Sequence, residues 1–419
     1  LHQRGDAPVK PIYTKEDAER SLERIDTIAF HDWFEPLPGF RARYWPAGHI
    51  LGAASIEIEL TGAGKMIRLL FSGDLGAAAE CLHTPPESPS GIDYLVVEST
   101  YGHRRREVVD ADGRRRKLAA QVQAALSRGG NLIIPVFAIE RTQELLFDIG
   151  QLIRDGVLGN VPVFLDSPLA VHATEVFRKH ASELGAAAGT HNPFNGSNIR
   201  FVDTVEESKN LNKISSGAII MAASGMCEAG RIRHHLMATL WRPECTILMV
   251  GYQAPGTLGR LLRDGAGSVR IMGEEIRVRA QIREIDVYSA HADQAELLTW
   301  IAAREPISRA ILLTHGEPTA TACLAALLAA DPRPGRPPVL CPGMGASLSL
   351  GTVPARLSPP MAAQPVQGSL QTDWHNLHSG FLLDLAGALR EASDDQARQD
   401  LLRRLGGLLQ ARTSQSRAP

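Results

Sequence analysis

The chain has 419 residues, of which 44% are hydrophobic, 21% charged and 5% aromatic, a make-up that excludes disordered, fibrous and membrane-spanning classes and allows a core large enough for two domains. A formal net charge of -2 excludes a globally basic nucleic-acid binder and leaves only a local basic cleft for such a partner. Five scattered cysteines without a C-x-x-C pair point away from a disulfide framework and towards a reducing compartment.

No apolar run approaches the roughly 18 residues that span a bilayer, and the polar start Leu1-His2-Gln3-Arg4-Gly5 is no signal peptide. A cytoplasmic protein without a membrane partner is expected. A first residue of leucine predicts that coding sequence lies upstream.

Thr14-Lys15-Glu16-Asp17 reads as an N-cap and acidic first turn, leading into a short helix over 18–25. Short β-rich runs follow at 41–45, 55–60, 66–71 and 94–97. The basic stretch 102–117, with Arg104, Arg105, Arg106, Arg114, Arg115, Arg116 and Lys117, reads as a solvated loop, with RNA contact as the alternative.

Beyond it, strands at 131–137, 161–165, 217–222 and 245–250 alternate with helices at 141–153, 170–182 and 230–240, the signature of a doubly wound, mostly parallel unit. Strands at 286–288, 310–313 and 339–341 and helices at 294–303 and 318–330 come next. A Pro/Ala/Ser-rich linker is expected over 353–369. Leu382, Leu385, Leu389, Leu401, Leu405 and Leu408 then mark amphipathic helices that pack on the parent domain, a homodimer contact being the alternative.

Five polar residues stand at strand ends or in Gly-containing turns: His49, Asp74, Glu98, His291 and His315. An α/β scaffold projects such positions into a crevice. Imidazole nitrogen and carboxylate oxygen are the donors that zinc takes in hydrolytic sites, so His49, Asp74 and His315 form a partial metal set. Singly, each reads equally as a hydrogen-bonded structural residue. The turn Ser224-Gly225-Met226 after strand 217–222, with Arg231 opening a helix, offers backbone amides to a phosphate; a plain strand-to-helix turn is the alternative.

The segments Gly48-His49-Ile50-Leu51-Gly52, Ser72-Gly73-Asp74-Leu75-Gly76 and Glu98-Ser99-Thr100-Tyr101-Gly102 resemble successive motifs of the β-CASP metallo-β-lactamases. Asp166-Ser167-Pro168-Leu169-Ala170, the segment from Ala223 to Arg231, and Gly251-Tyr252-Gln253-Ala254 are similar to parts of the inserted β-CASP domain. Ser289-Ala290-His291-Ala292-Asp293 and Leu313-Thr314-His315-Gly316-Glu317 look like its closing pair.

The resemblance implies an α/β fold, a metallo-β-lactamase αβ/βα sandwich interrupted by the inserted domain. Its expected divisions are 1–103, 104–285, 286–352 and a linker with a helical tail at 353–419. It implies a zinc-dependent ribonuclease with two Zn2+ per complete site, RNA lying between the domains, and cleavage inside the strand ahead of 5′ exonuclease action. A non-catalytic RNA-binding subunit and a DNA-repair nuclease of the same branch stay open as alternatives. His49, Asp74 and His315 would ligate metal, with Asp74 bridging, and Glu98 would orient His291 as the proton donor. The family's His-x-His-x-Asp-His segment does not occur in these residues. Truncation is therefore expected, and the 419 residues alone are expected to be inactive.

Overall fold

The computed structural model describes residues 13–62, 65–77, 82, 84–107, 109–181, 194, 198–331, 335–351, 355–358 and 374–415. Thr14 caps α1 (Lys15–Leu22) through a reciprocal pair of bonds with Asp17, the capping box that the Thr-x-x-Asp spacing encodes. Then β1 (Phe34–Leu37), β2 (Phe40–Pro46), β3 (Ala54–Gly62), β4 (Lys65–Phe71) and β5 (Ile92–Glu98) begin a seven-stranded sheet.

The chain leaves that sheet through α2 (Ala111–Leu126) to build a second one. Its order along the chain is β6 (Leu132–Pro135), α3 (Arg141–Arg154), β7 (Val163–Asp166), α4 (Pro168–Lys179), β8 (Ile199–Phe201), α5 (Val205–Leu211), β9 (Ile219–Ala222), α6 (Ile232–Thr239), β10 (Thr246–Met249) and α7 (Leu258–Arg263). A hairpin of β11 (Ser268–Ile271) and β12 (Glu274–Arg277) leads to β13 (Gln281–Glu284). The chain returns by α8 (Gln294–Ala302), β14 (Ile307–Thr314), α9 (Pro318–Ala329) and β15 (Val339–Leu340), completing the first sheet in the order β1-β2-β3-β4-β5-β14-β15. A small pair, β16 (Ser347–Leu348) with β17 (Leu357–Ser358), precedes α10 (Trp374–Glu391) and α11 (Asp395–Gln415).

Strand direction decides where the first sheet presents its polar tips. β2 pairs antiparallel with β3, and β3 with β4, whereas β4, β5 and β14 pair parallel. Hence β2, β4, β5 and β14 all end on one edge. One face of this sheet buries Leu70, Leu95, Val97, Ile311 and Leu313 under Leu297, Trp300 and Ile301 of α8 and Leu324 and Leu328 of α9. Its other face gathers Leu69, Tyr94, Ala310 and Leu312 with Leu348 and Leu357 of the small pair.

The second sheet is parallel throughout, ordered β13-β10-β6-β9-β7-β8, and its four inner strands are short and fully buried, as covering on both faces demands. Ile134, Leu165, Met221 and Leu248 point towards α2, α3 and α4. Ile133, Phe164, Ile220 and Ile247 point towards α6, α7 and the β11-β12 hairpin. The helix after β6 therefore covers one face, while the helices after its neighbours β9 and β10 cover the other. Such a reversal opens a crevice at the carboxyl ends of the strands, where ligands bind in open α/β sheets.

Three expectations are corrected. Residues 286–288 form a turn and no strand: the Tyr288 carbonyl accepts from the Arg141 guanidinium and its hydroxyl donates to Asp148, so the segment is anchored by side chains in place of a ladder. The basic stretch is not one solvated loop, because Asp110 caps α2 at the Gly113 amide and brings Arg114 to Arg116 and Lys117 into a helix. Third, α10 leans on the second unit, exchanging bonds between Asn376 and the Arg270 backbone and between Ser379 and the Ser268 carbonyl; Leu383 joins that unit's core while Leu382 is exposed. Most of the expected linker at 353–369, and the side chain of Leu408, lie outside the described residues. No helix among the described residues is long and apolar enough to cross a membrane.

Candidate active site

Four loops leave the shared edge of the first sheet and converge. The β4 loop turns at Gly73, whose φ of 59° and 2.9 Å clearance from the Ala54 carbonyl for any added methyl require glycine, and so delivers Asp74. Two residues on, Gly76 donates to the Ala47 carbonyl and lies so close to Gly48 that a side chain there would overlap it. This contact locks the His49 loop against the Asp74 loop.

Glu98 ends β5 opposite Thr314, the last residue of β14, and His315 follows at φ 52°. Backbone pairings of Gly76 with His291 and Tyr101 with Asp293 draw in the segment carrying His291. All five polar residues singled out in the sequence thus meet at one edge.

His49 Nε2 lies 3.8 Å from Asp74 Oδ2, and His315 Nδ1 lies 3.4 Å from Asp74 Oδ1. The ring centres of His49 and His291 are 4.4 Å apart, and those of His291 and His315 5.7 Å. Two triplets, His49 with Asp74 and His291, and Glu98 with His291 and His315, each bring their donor atoms within 4.8 Å of one another.

The donors suit a metal. Burial first, then the charges of His291 and Arg141, push the His49 imidazole down to about 3, so it stays neutral, the form that ligates. The Ala290 carbonyl favours its proton, yet no hydrogen bond of good geometry reaches the buried Nδ1.

Glu98 is shielded from solvent and accepts from the Leu75 amide. Burial alone would push its carboxyl up, but the hydrogen bond and charge of His291, with Thr100 and the Leu75 amide, hold it below the usual carboxylate range. An ionised Glu98 fixes a proton on His291 Nδ1.

The sequence did not point to the clasp around these residues. The Tyr252 hydroxyl donates to Glu317, two residues past His315, and Tyr101 stands edge-on to both Tyr252 and His291. Arg106 donates to the Ser289 and His291 carbonyls, and Arg104 pairs with Asp286 at 2.9 Å. Two arginines of the basic run therefore fasten the His291 segment instead of lying free in solvent.

Arg231 also turns inward. Its guanidinium donates to the buried Asp166 at 2.7 Å and to the Val202 and Asp203 carbonyls. The Ser224 and Gly225 turn sits at the second sheet's crevice, closed by Ser224 N to the Ala229 carbonyl and by Ala229 N to Ser224 Oγ.

Residues 142–262 match the profile described as Beta-Casp domain, and residues 275–332 match the Zn-dependent metallo-hydrolase RNA specificity domain. The chain is 32% identical over 329 residues to Ribonuclease TTHA0252 of Thermus thermophilus, a match covering 76% of this chain and 72% of that protein. It is 32% identical over 311 residues to an RNase J-like protein of Methanocaldococcus jannaschii, covering 73% of this chain and 70% of that one. Endoribonuclease YSH1 of Kluyveromyces lactis is 31% identical over 335 residues, which is 75% of this chain and 42% of the relative. With identity at this level spread over most of two relatives, and both profiles falling on the segments that build the second sheet and the returning part of the first, the chain belongs to the β-CASP family of the metallo-β-lactamase fold.

Proposed function

We propose that this protein is an RNA-processing nuclease that hydrolyses phosphodiester bonds with zinc, cutting inside the strand in preference to trimming from a 5′ end. The observation that carries the reading is the meeting of His49, Asp74 and His315 with the Glu98–His291 pair at one strand edge, facing the crevice of a second sheet. Relatives named as ribonucleases, one as an endoribonuclease, support the substrate class. The division we propose for the chain is 1–103 and 286–352 for the metallo-β-lactamase domain, with 104–285 inserted and 353–419 as linker and tail.

In this reading His49, Asp74 and His315 hold metal, with Asp74 between the two imidazoles. A bound pair of zinc ions would supply Lewis acidity and a water of lowered pKa. Glu98, held ionised, keeps the His291 proton on Nδ1 and aligns the ring, leaving Nε2 to face the departing oxygen and give it a proton. The Ser224–Gly225 turn contacts the RNA backbone, and Arg231, paired with Asp166, holds the start of α6 behind that turn. Three donors leave several coordination positions to water, so these 419 residues by themselves should hold a zinc pair weakly and hydrolyse little.

The test is a competition between matched single-stranded RNA and DNA, with the full gene product and with chelator as control. Metal-dependent loss of RNA ahead of DNA is expected; cleavage unaffected by chelator, or DNA preferred, would overturn the reading.

A further inference from the structure

The crevice of the second sheet holds an aromatic ring that none of the foregoing uses. Phe137 follows β6, and its neighbours on either side are the loops after β9 and β10, so it sits where the covering helices reverse face. Those two loops present glycine to it. A methyl at Gly225 would lie 2.7 Å from the ring and one at Gly251 3.5 Å, so the ring rests on bare backbone. Gln253, buried, donates its amide to the carbonyls of both glycines and fixes that floor. Thr142 Oγ1 donates to the Phe137 carbonyl and fixes the ring's own backbone.

A phenylalanine held so firmly on one side would ordinarily be covered on the other. Phe137 is instead 36% exposed, and Ile139 beside it 43%. The same loop reaches the candidate active site, because the Glu140 carboxylate accepts from the Leu51 amide, two residues from His49. On the other side Gly251 leads directly into Tyr252 and its bond to Glu317. The exposed ring is therefore tied to both the His49 and the His315 loops.

We infer that Phe137, laid on Gly225 and Gly251, is a stacking platform for a nucleobase of the RNA strand beside the scissile bond. The inference rests on the RNA reading above and adds a base subsite to it. Stacking on an aromatic face tolerates any base, since each has a π-face, so this subsite would hold a base without selecting which one. Glycine at 225 is what lets the ring lie low enough to leave room for a base above it, since a methyl there would meet the ring at 2.7 Å, whereas one at Gly251 would only reach ordinary contact.

The experiment uses the full gene product and a labelled oligoadenylate carrying one abasic position, moved along the strand, with chelator present so that equilibrium binding is read without cleavage. In the unaltered protein, an abasic site at one position should weaken binding roughly 5- to 150-fold, the range expected for one lost stack. Phe137→Leu, which keeps an apolar side chain on the glycine floor, should weaken binding of intact oligoadenylate similarly and erase the penalty at that position alone; Phe137→Tyr should restore it. An unaltered protein indifferent to abasic sites everywhere, or a Phe137→Leu profile parallel to the unaltered one, overturns the platform while leaving the RNA reading standing. Failure of the unaltered protein to bind any oligoadenylate overturns the RNA reading itself.

Discussion

Nδ1 of His291 stands 3.0 Å from Oε1 and 3.1 Å from Oε2 of Glu98, a carboxylate that water scarcely reaches. A ring so held offers one nitrogen to substrate and has its tautomer set by the other. His291→Ala should reduce RNA hydrolysis roughly 100-fold or more with bound metal near normal, measured by turnover and elemental analysis. Loss of metal would instead make His291 a ligand, the role its place in both donor triplets also allows. Glu98→Gln should act through His291, so the double variant should be little worse than His291→Ala.

A second pair concerns folding. Arg114 binds Asp148 through Nε at 2.7 Å and Nη2 at 3.2 Å, both residues are buried, and the Tyr288 hydroxyl donates to the same carboxylate. Arg114→Met leaves the buried Asp148 carboxylate only the longer pair with Arg115 at 3.7 Å and should destabilise by up to about 3–5 kcal/mol, read from denaturant unfolding. Adding Asp148→Leu should recover part of that loss. A single variant within 0.5 kcal/mol of the unaltered chain, about the spread of surface changes, would remove the pair from the account.

Asp166 supplies the pH dependence. Burial would raise its carboxyl, but bonds from His235, Ser208 and Arg231 outweigh this and hold it below the usual carboxylate range. A pKa lowered by folding stabilises above the unfolded value, near 3.9 for aspartate, and that contribution is lost as pH falls through the folded value. Asp166→Asn should therefore be less stable at neutral pH, with the difference narrowing below about pH 4. Acid unfolding curves that stay parallel would show that Asp166 carries no such linkage.

The sequence showed elements whose period was clean and residues whose chemistry stood at strand ends. The runs 66–71 and 94–97 fall within two residues of the ends of β4 and β5, because alternating or wholly apolar runs leave few other readings. The positions of His49 and His291, far apart in the chain, are related by the resemblance; the close approach of Gly76 to Gly48 and the bridge from Gly76 to His291, which together bring their loops to one place, leave no periodic trace. The basic run misled because charge density says nothing of partners. Arg106 and Arg114 find theirs in Ser289, His291 and Asp148, residues at least 34 positions away. Phe137 is illegible for a similar reason: at the end of an apolar strand it reads as core, and only the fold lays one side on two glycines and leaves the other exposed.

The most direct measurement is zinc content and RNA hydrolysis of the full gene product bearing Asp74→Ala. The carboxylate lies between His49 and His315, so its removal should lower bound zinc and abolish hydrolysis together. Full zinc occupancy with normal turnover in that variant would contradict the account.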